Sequence, residues 1–271
     1  MASAPKASLP VLYKELIPLN SNDHADWHAR TVDKAPWIAG QHAIPLTVEE
    51  FPAAQRSFPI VFSSGERSVP LALMGLNEGV NVFFDDEGAP RNEVLPYIPA
   101  YVRRYPFLLA KLEANSDNLS LCFDPTSDLV GKFDDGQPLF TDGKEPSEHT
   151  QGLLQFCEKF EEAGNRTQLF MQELESHELL MDGEIAINRT DNPDQPFVYR
   201  GFRMVNQDKL RELRGDQLRK WNENGLLPLI FAHLFSLDHM RMIFARQVEL
   251  GKGPGAAGAS GGAAKETATK A

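Results

Sequence analysis

The sequence predicts an α+β fold: a mainly antiparallel sheet with helices packed on it and a helical C-terminal part. Short apolar runs separated by turn residues crowd the first half. The second half changes to apolar residues at helical spacing, then to a strand-like pair, then to helices again. Clustered strands followed by clustered helices are not the βαβ alternation of a parallel sheet. The composition, 42% hydrophobic and 24% charged over 271 residues, suits a globular domain.

Each element has its own signal. Residues 58–62 (Phe-Pro-Ile-Val-Phe), 69–73 (Val-Pro-Leu-Ala-Leu) and 80–84 (Val-Asn-Val-Phe-Phe) read as three strands of a meander, with turns at 63–65 and 77–79. Pro59 and Pro70 lack a backbone donor, so they belong at strand starts or edges. Residues 107–112 and 119–123 form a hairpin-like pair around 115–118. Leu153, Phe156, Cys157 and Phe160 repeat at helical spacing, and Gly164 is expected to end that helix. Asn165 or Thr167 would cap a second, carrying Phe170, Leu174, His177 and Met181. Strand-like runs return at 184–187 and 197–205, with a turn at 192–194. Asp208 would cap a helix presenting Leu210, Leu213, Leu218 and Trp221, broken by Asn224-Gly225. Pro228 opens a last, strongly apolar helix. Residues 1–10 read as a flexible arm, 11–250 as a single α+β domain, and 251–271 as a flexible Gly/Ala-rich tail.

Charge and cysteines narrow the function classes. The 27 Lys and Arg against 38 Asp and Glu leave a net charge of −11. Such a surface repels a phosphate backbone, so nucleic acid is not an expected partner, and anionic membrane is disfavoured for the same reason. Cys122 and Cys157 make no disulfide framework and read as buried thiols. The N-terminus carries no apolar run of signal-peptide length. The uncharged stretch 226–237, 12 residues, falls short of the roughly 20 that cross a bilayer. These readings predict a soluble, cytoplasmic protein without membrane insertion.

Catalytic signatures are sparse. Neither G-x-G-x-x-G after a strand nor G-x-x-x-x-G-K-[ST] is present. Gly258, Ser260 and Gly262 match G-x-S-x-G, but in the tail, away from the strand–turn–helix that the motif needs. No cofactor is assigned and no metal is expected. His24 and Asp26 do have the H-x-D spacing of an iron facial triad, which would need a distal histidine from among His149, His177, His233 and His239. The competing reading of 20–24 is a self-capped polar turn. His233, inside the apolar helix, reads as a core histidine bonded to a carbonyl, or else as an acid–base group lining a pocket. The eight acids and two bases of 117–150 read as a solvated loop. The densest cluster is 97–107, with Pro99 and Pro106, Tyr97, Tyr101 and Tyr105, and the pair Arg103-Arg104. Arginine forks bind carboxylates or phosphates, and tyrosines add flat amphipathic surface, so this is a candidate binding edge. Its structural alternative is a helical turn bounded by the two prolines, with the arginines paired to internal acids.

The same block resembles the SapC family of bacterial proteins, named from surface-layer gene clusters. The resemblance is carried by 13–19 with His24, Pro45-Leu46 with Glu50-Phe51, and 58–62. Pro70, Gly75-Leu76, 81–84, Tyr97-Ile98-Pro99-Ala100 and Arg103-Arg104-Tyr105-Pro106-Phe107 continue it, with weaker matches at Asp124, Phe140, Phe170, Gly201-Phe202 and 226–237. Members usually place a tryptophan after an Asp-x-x-Gly turn, whereas Gly88 here is followed by Ala89-Pro90-Arg91. The resemblance implies a SapC-like accessory protein that binds a protein or peptide partner of surface-layer, envelope or TonB-dependent receptor systems. It also implies a functional link to flavin halogenase-like and cupin-like proteins. The unrelated peptide-transporter permease of the same short name is excluded by the missing membrane spans. No catalysis is assigned. The alternative is a small-ligand-binding protein or enzyme with a pocket around Arg103-Arg104-Tyr105, and the least favoured is an iron-dependent oxygenase using His24 and Asp26. The expected binding residues are Tyr97, Arg103, Arg104, Tyr105, His24 and His233.

Overall fold

The central sheet has five strands in the spatial order Leu180–Asp182, Phe202–Val205, Ile60–Ser63, Pro70–Leu73, Ala43–Pro45. The computed structural model describes residues 9–253, except 66, 93–94, 113–117, 143 and 188–195. Every strand pair among the described residues is antiparallel. The fold is α+β, with a helical C-terminal part, as the clustering of signals predicts. Ile60, Val61 and Phe62 of the middle strand are all buried, which explains their unbroken apolar run. Pro70 stands first in its strand, where its missing donor costs least. A second ladder pairs Phe107–Lys111 with Leu119–Phe123 in the register Phe107↔Phe123 to Lys111↔Leu119, and Ile17–Pro18 adds to its edge.

Several expected elements differ. Residues 80–84 form no ladder strand beyond an isolated bridge, Phe84 to Pro90. The side chain of Asn81 takes over the local backbone: its Oδ1 accepts from Phe83 N at 2.9 Å and Phe84 N at 3.1 Å. Its Nδ2 donates to the carbonyls of Ile38 and Gln41. The two helices expected around Gly164 are one, Glu148–Ser176, capped by Ser147. A mid-helix glycine costs roughly 0.5–1 kcal/mol relative to alanine, too little to stop a helix anchored by packing at both ends. Thr167 donates its hydroxyl to Ala163 O one turn back instead of capping. Met181 falls beyond the helix, in Leu180–Asp182. The run 197–205 is two strands, Phe197–Tyr199 and Phe202–Val205, split where Gly201 takes φ 93°. Asn206, not Asp208, caps the next helix, accepting from Asp208 N and Lys209 N. That helix is two, Gln207–Glu212 and Gly215–Glu223. Gly225, at φ 79°, precedes Leu226–Ser236, and His239–Glu249 is the last helix among the described residues. The turn expected at 192–194, and the outer parts of the arm and tail, lie outside the described residues.

Burial divides into two clusters. The larger surrounds the central sheet and includes Phe51, Phe58, Phe62, Phe170, Leu174, Trp221 and Ile230. The smaller gathers Phe107, Phe123, Leu139, Phe140 and Cys157 beside the hairpin. Trp37 and Tyr105 pack against both. The long helix is their common spine, since Leu153, Leu154 and Cys157 face the smaller cluster and Phe170, Met171 and Leu174 the larger. At 1.5 Å per residue its 29 residues extend about 43 Å.

Leu226–Glu249 is, among the described residues, one helical stretch long and apolar enough by length and composition to cross a membrane. Its Ile230, His233, Met240 and Ile243 are fully buried in the main core, while Phe231 and Phe235 stack on its outer face.

Candidate functional site

The block 97–107 folds as the turn its prolines suggest. Pro99 caps a single helical turn, Ala100–Arg103, and the chain then enters Phe107–Lys111. A carboxylate outside the six expected binding residues holds it in place. Glu50 is buried and accepts from Ala100 N at 2.6 Å and from Tyr97 Oη at 3.1 Å. Its other oxygen accepts from Thr47 N at 2.8 Å and Thr47 Oγ1 at 3.0 Å, closing a capping box on Val48–Glu50. Four donors around one carboxylate leave it no free valence for a ligand.

The arginines of the block diverge. Arg104 is 7% exposed and lies over three rings, with its guanidinium carbon 4.0 Å from the centroid of Phe160, 4.6 Å from Tyr101 and 5.9 Å from Tyr13. Its ionic contact is a 3.4 Å approach to Glu161. Arg103 reaches outward, donating to Tyr97 Oη at 3.3 Å and lying over Phe156 at 5.3 Å. Tyr105 packs tilted against Trp37 at 5.1 Å and edge-on to Tyr13 at 5.3 Å. Burial holds the phenols of Tyr13, Tyr97, Tyr101 and Tyr105 above their ordinary range. Burial also pushes the Cys157 thiol up to about 11, so it is not an activated nucleophile. Cys122 is likewise buried with a raised pKa.

The two candidate histidines pack against different clusters, His24 on Phe123 of the smaller and His233 on Phe62 of the larger. His24 is buried edge-on to Trp27 and Phe123, with Nδ1 against the backbone of Asn20. Asp26 turns to solvent, where its pairing with Lys132 at 2.8 Å lowers its pKa. His24 and Asp26 therefore do not converge, and among the described residues no group of three metal-ligating side chains is gathered. His233 bridges two strands of the central sheet. Its Nε2 accepts from Val205 N at 3.1 Å, so the proton sits on Nδ1 and is donated to Ile60 O at 2.7 Å. Complete burial pushes its pKa down to about 4, against the raising effect of the Ile60 bond. This is the carbonyl-bonded core histidine of the sequence analysis.

A groove of about 670 Å³ opens next to the block, between the second half of the long helix and the chain at 45–47 and 67–70. Its walls include none of the six expected residues. Phe160, Gly164, Gln168, Met171, Gln172 and Glu175 form one stripe of the helix along it. Pro45, Leu46, Val69 and Pro70 make the opposite wall. Phe160 is shared, since it lines the groove and also carries Arg104. Thr47 is shared too, tying the wall to Glu50. Beyond the helix's own backbone and the neighbouring residues, no heavy atom lies within 4 Å of where a Cβ on Gly164 would stand, so the helix leaves open space there. The hydroxyls in the walls are engaged: Thr47 with Glu50, Thr167 with Ala163 O, and Ser68 with Ser63 O. The exposed amides of Gln168 and Gln172 and the guanidinium of Arg67 have no partner among the described residues. Sequence reasoning missed these residues because each is an ordinary surface type. The one available signal was the helical stripe, and reading a helix end at Gly164 cut it in two.

The SapC family model matches residues 19–243 of the chain. No curated protein matches it, and no solved structure does.

Proposed function

Because the chain belongs to the SapC family, we propose that it is a cytoplasmic, non-catalytic accessory protein that holds a segment of a protein or peptide partner in the helix–sheet groove. The partner would belong to the surface-layer, envelope or TonB-dependent receptor systems suggested by the family resemblance. The observation that carries this reading is the shape and chemistry of the groove. From Phe160 to Glu175 its helical wall runs about 22 Å at 1.5 Å per residue. That is the length of about seven residues of extended chain. Its apolar walls offer contact area, and its free polar groups are amides and a guanidinium, which bind rather than react. No histidine or cysteine lines it; the Thr47 hydroxyl donates to the Glu50 carboxylate, which three further hydrogen bonds already occupy, and those of Thr167 and Ser68 donate to backbone carbonyls.

The alternative, a ligand pocket at Arg103-Arg104-Tyr105, has weaker support because Arg104 is already held by Glu161 and three aromatic rings. A direct test is Gly164→Trp, which fills the groove from a position with open space above it. Affinity-tagged wild-type protein from the native host is expected to carry a stoichiometric partner. The variant, folded by circular dichroism, is expected to lose it. Equal recovery by both would remove the groove from the function.

A further inference from the structure

Resting on the reading of the groove as a partner site, we propose that its occupant is an extended, alternately apolar peptide segment carrying an aspartate or glutamate side chain. Three features define this chemistry. Gln168 and Gln172 stand one helical turn apart, about 6 Å along the axis. Alternate residues of an extended chain repeat at about 6.6 Å, so two successive outward-facing peptide groups can each meet one amide. An amide both donates and accepts, which suits a backbone N–H and C=O. The other face of such a segment meets Phe160, Met171 and Leu46, which accept apolar side chains at every second position.

Charge sets the polar position. Glu175, in the groove, lies 3.6 Å from Arg203, which also donates to Ser68 at 3.1 Å. Its charge is thus opposed from within the protein. Arg67 is exposed in the opposite wall, next to Ser68, with no partner among the described residues. A guanidinium fork binds a carboxylate with two parallel bonds, and a lysine or neutral residue at that place would leave it unpaired. On a chain of net charge −11 this cation is a selective feature, because long-range attraction favours partners that are not themselves strongly acidic. The segment therefore carries one acid among neutral residues.

The test is selection of acetylated, amidated decapeptides from a display library against the full-length protein, with the Gly164→Trp variant as the blocked control. The expected result is enrichment of alternating apolar residues with Asp or Glu at one fixed position. The best peptide should bind Arg67→Ala about tenfold or more weakly, and Arg67→Glu should shift the preference at that position to Lys or Arg. Enrichment of apolar peptides with no acidic position, or affinity unchanged in Arg67→Ala, overturns the proposed occupant while leaving the groove as a peptide site. No enrichment over the blocked control overturns both.

Discussion

The block 97–107 and the groove beside it share Phe160 and Thr47 and are opposite in character. In and around the block most distinctive groups are consumed internally: Glu50 takes four hydrogen bonds, Tyr101 donates to Val11 O, and Arg104 is enclosed by rings, with its Nε buried and unpaired among the described residues. In the groove the polar side chains are common types, and several have no partner among the described residues. Unusual residues mark a place where folding needs them. Ordinary residues left without partners mark a place where something else can bind.

The contrast breaks most readily at Glu50. Glu50→Ala removes the acceptor for Thr47 N and Ala100 N, both buried, and opens a cavity. The expected loss is about 3–5 kcal/mol in urea unfolding. Gln168→Ala or Gln172→Ala should stay within about 0.5 kcal/mol of wild type. A Glu50→Ala protein as stable as those two would refute the anchoring role of the carboxylate.

His233 gives the next largest effect, through pH. Its folded pKa, about 4, lies below the ordinary 6.5, so the folded state binds the proton less readily than the unfolded chain. Its contribution is fully present above pH 6.5 and is lost as pH falls toward 4, on the order of 3 kcal/mol in all. Protonated Nε2 could no longer accept from Val205 N. About 2 kcal/mol should disappear between pH 6.5 and 5, above the range of most carboxylates. A His233→Gln protein, less stable at neutral pH, should have a shallower slope there. Equal slopes for the two proteins would assign the pH dependence to other groups.

The fold was largely legible because most of its signals are local. The runs at 58–62, 69–73, 107–112 and 119–123 reappear as strands because apolar patterning and turn residues act over short distances. The misread elements are those decided by distant partners. Asn81 organises 81–84 through the carbonyls of Ile38 and Gln41, and Gly164 stays helical because both ends of its helix are packed. The structural alternative for 97–107 was legible in its prolines, whereas Glu50 was not. The Thr47-x-x-Glu50 spacing marks only a local capping box, whereas the partners that tie Glu50 to the block lie 47 and 50 positions away. The groove was least legible, since its walls come from three separated segments.

Arg104 sharpens the comparison at smaller cost. Arg104→Lys keeps the charge but loses the planar face over Phe160, with an expected loss of about 2 kcal/mol. Arg104→Met fills a similar volume and removes a buried charge that has one long ionic contact. It should therefore be the milder of the two in thermal unfolding. A lysine variant more stable than the methionine variant would show that the charge, not the stacked plane, holds the block.

Gly164 offers the smallest shift and separates folding from binding. Its helical position has no positive φ, and beyond the helix's own backbone and the neighbouring residues a methyl group there meets no heavy atom within 4 Å. Gly164→Ala should then stabilise the protein by about 0.5–1 kcal/mol, because alanine loses less backbone entropy on entering a helix. Added volume at the same point projects into the groove, so a series from alanine through leucine to tryptophan should keep or raise the unfolding midpoint while partner affinity falls step by step. Stability and binding moving in opposite directions along one series would assign the groove to recognition. A parallel fall in both would make Gly164 a packing residue like those of the block.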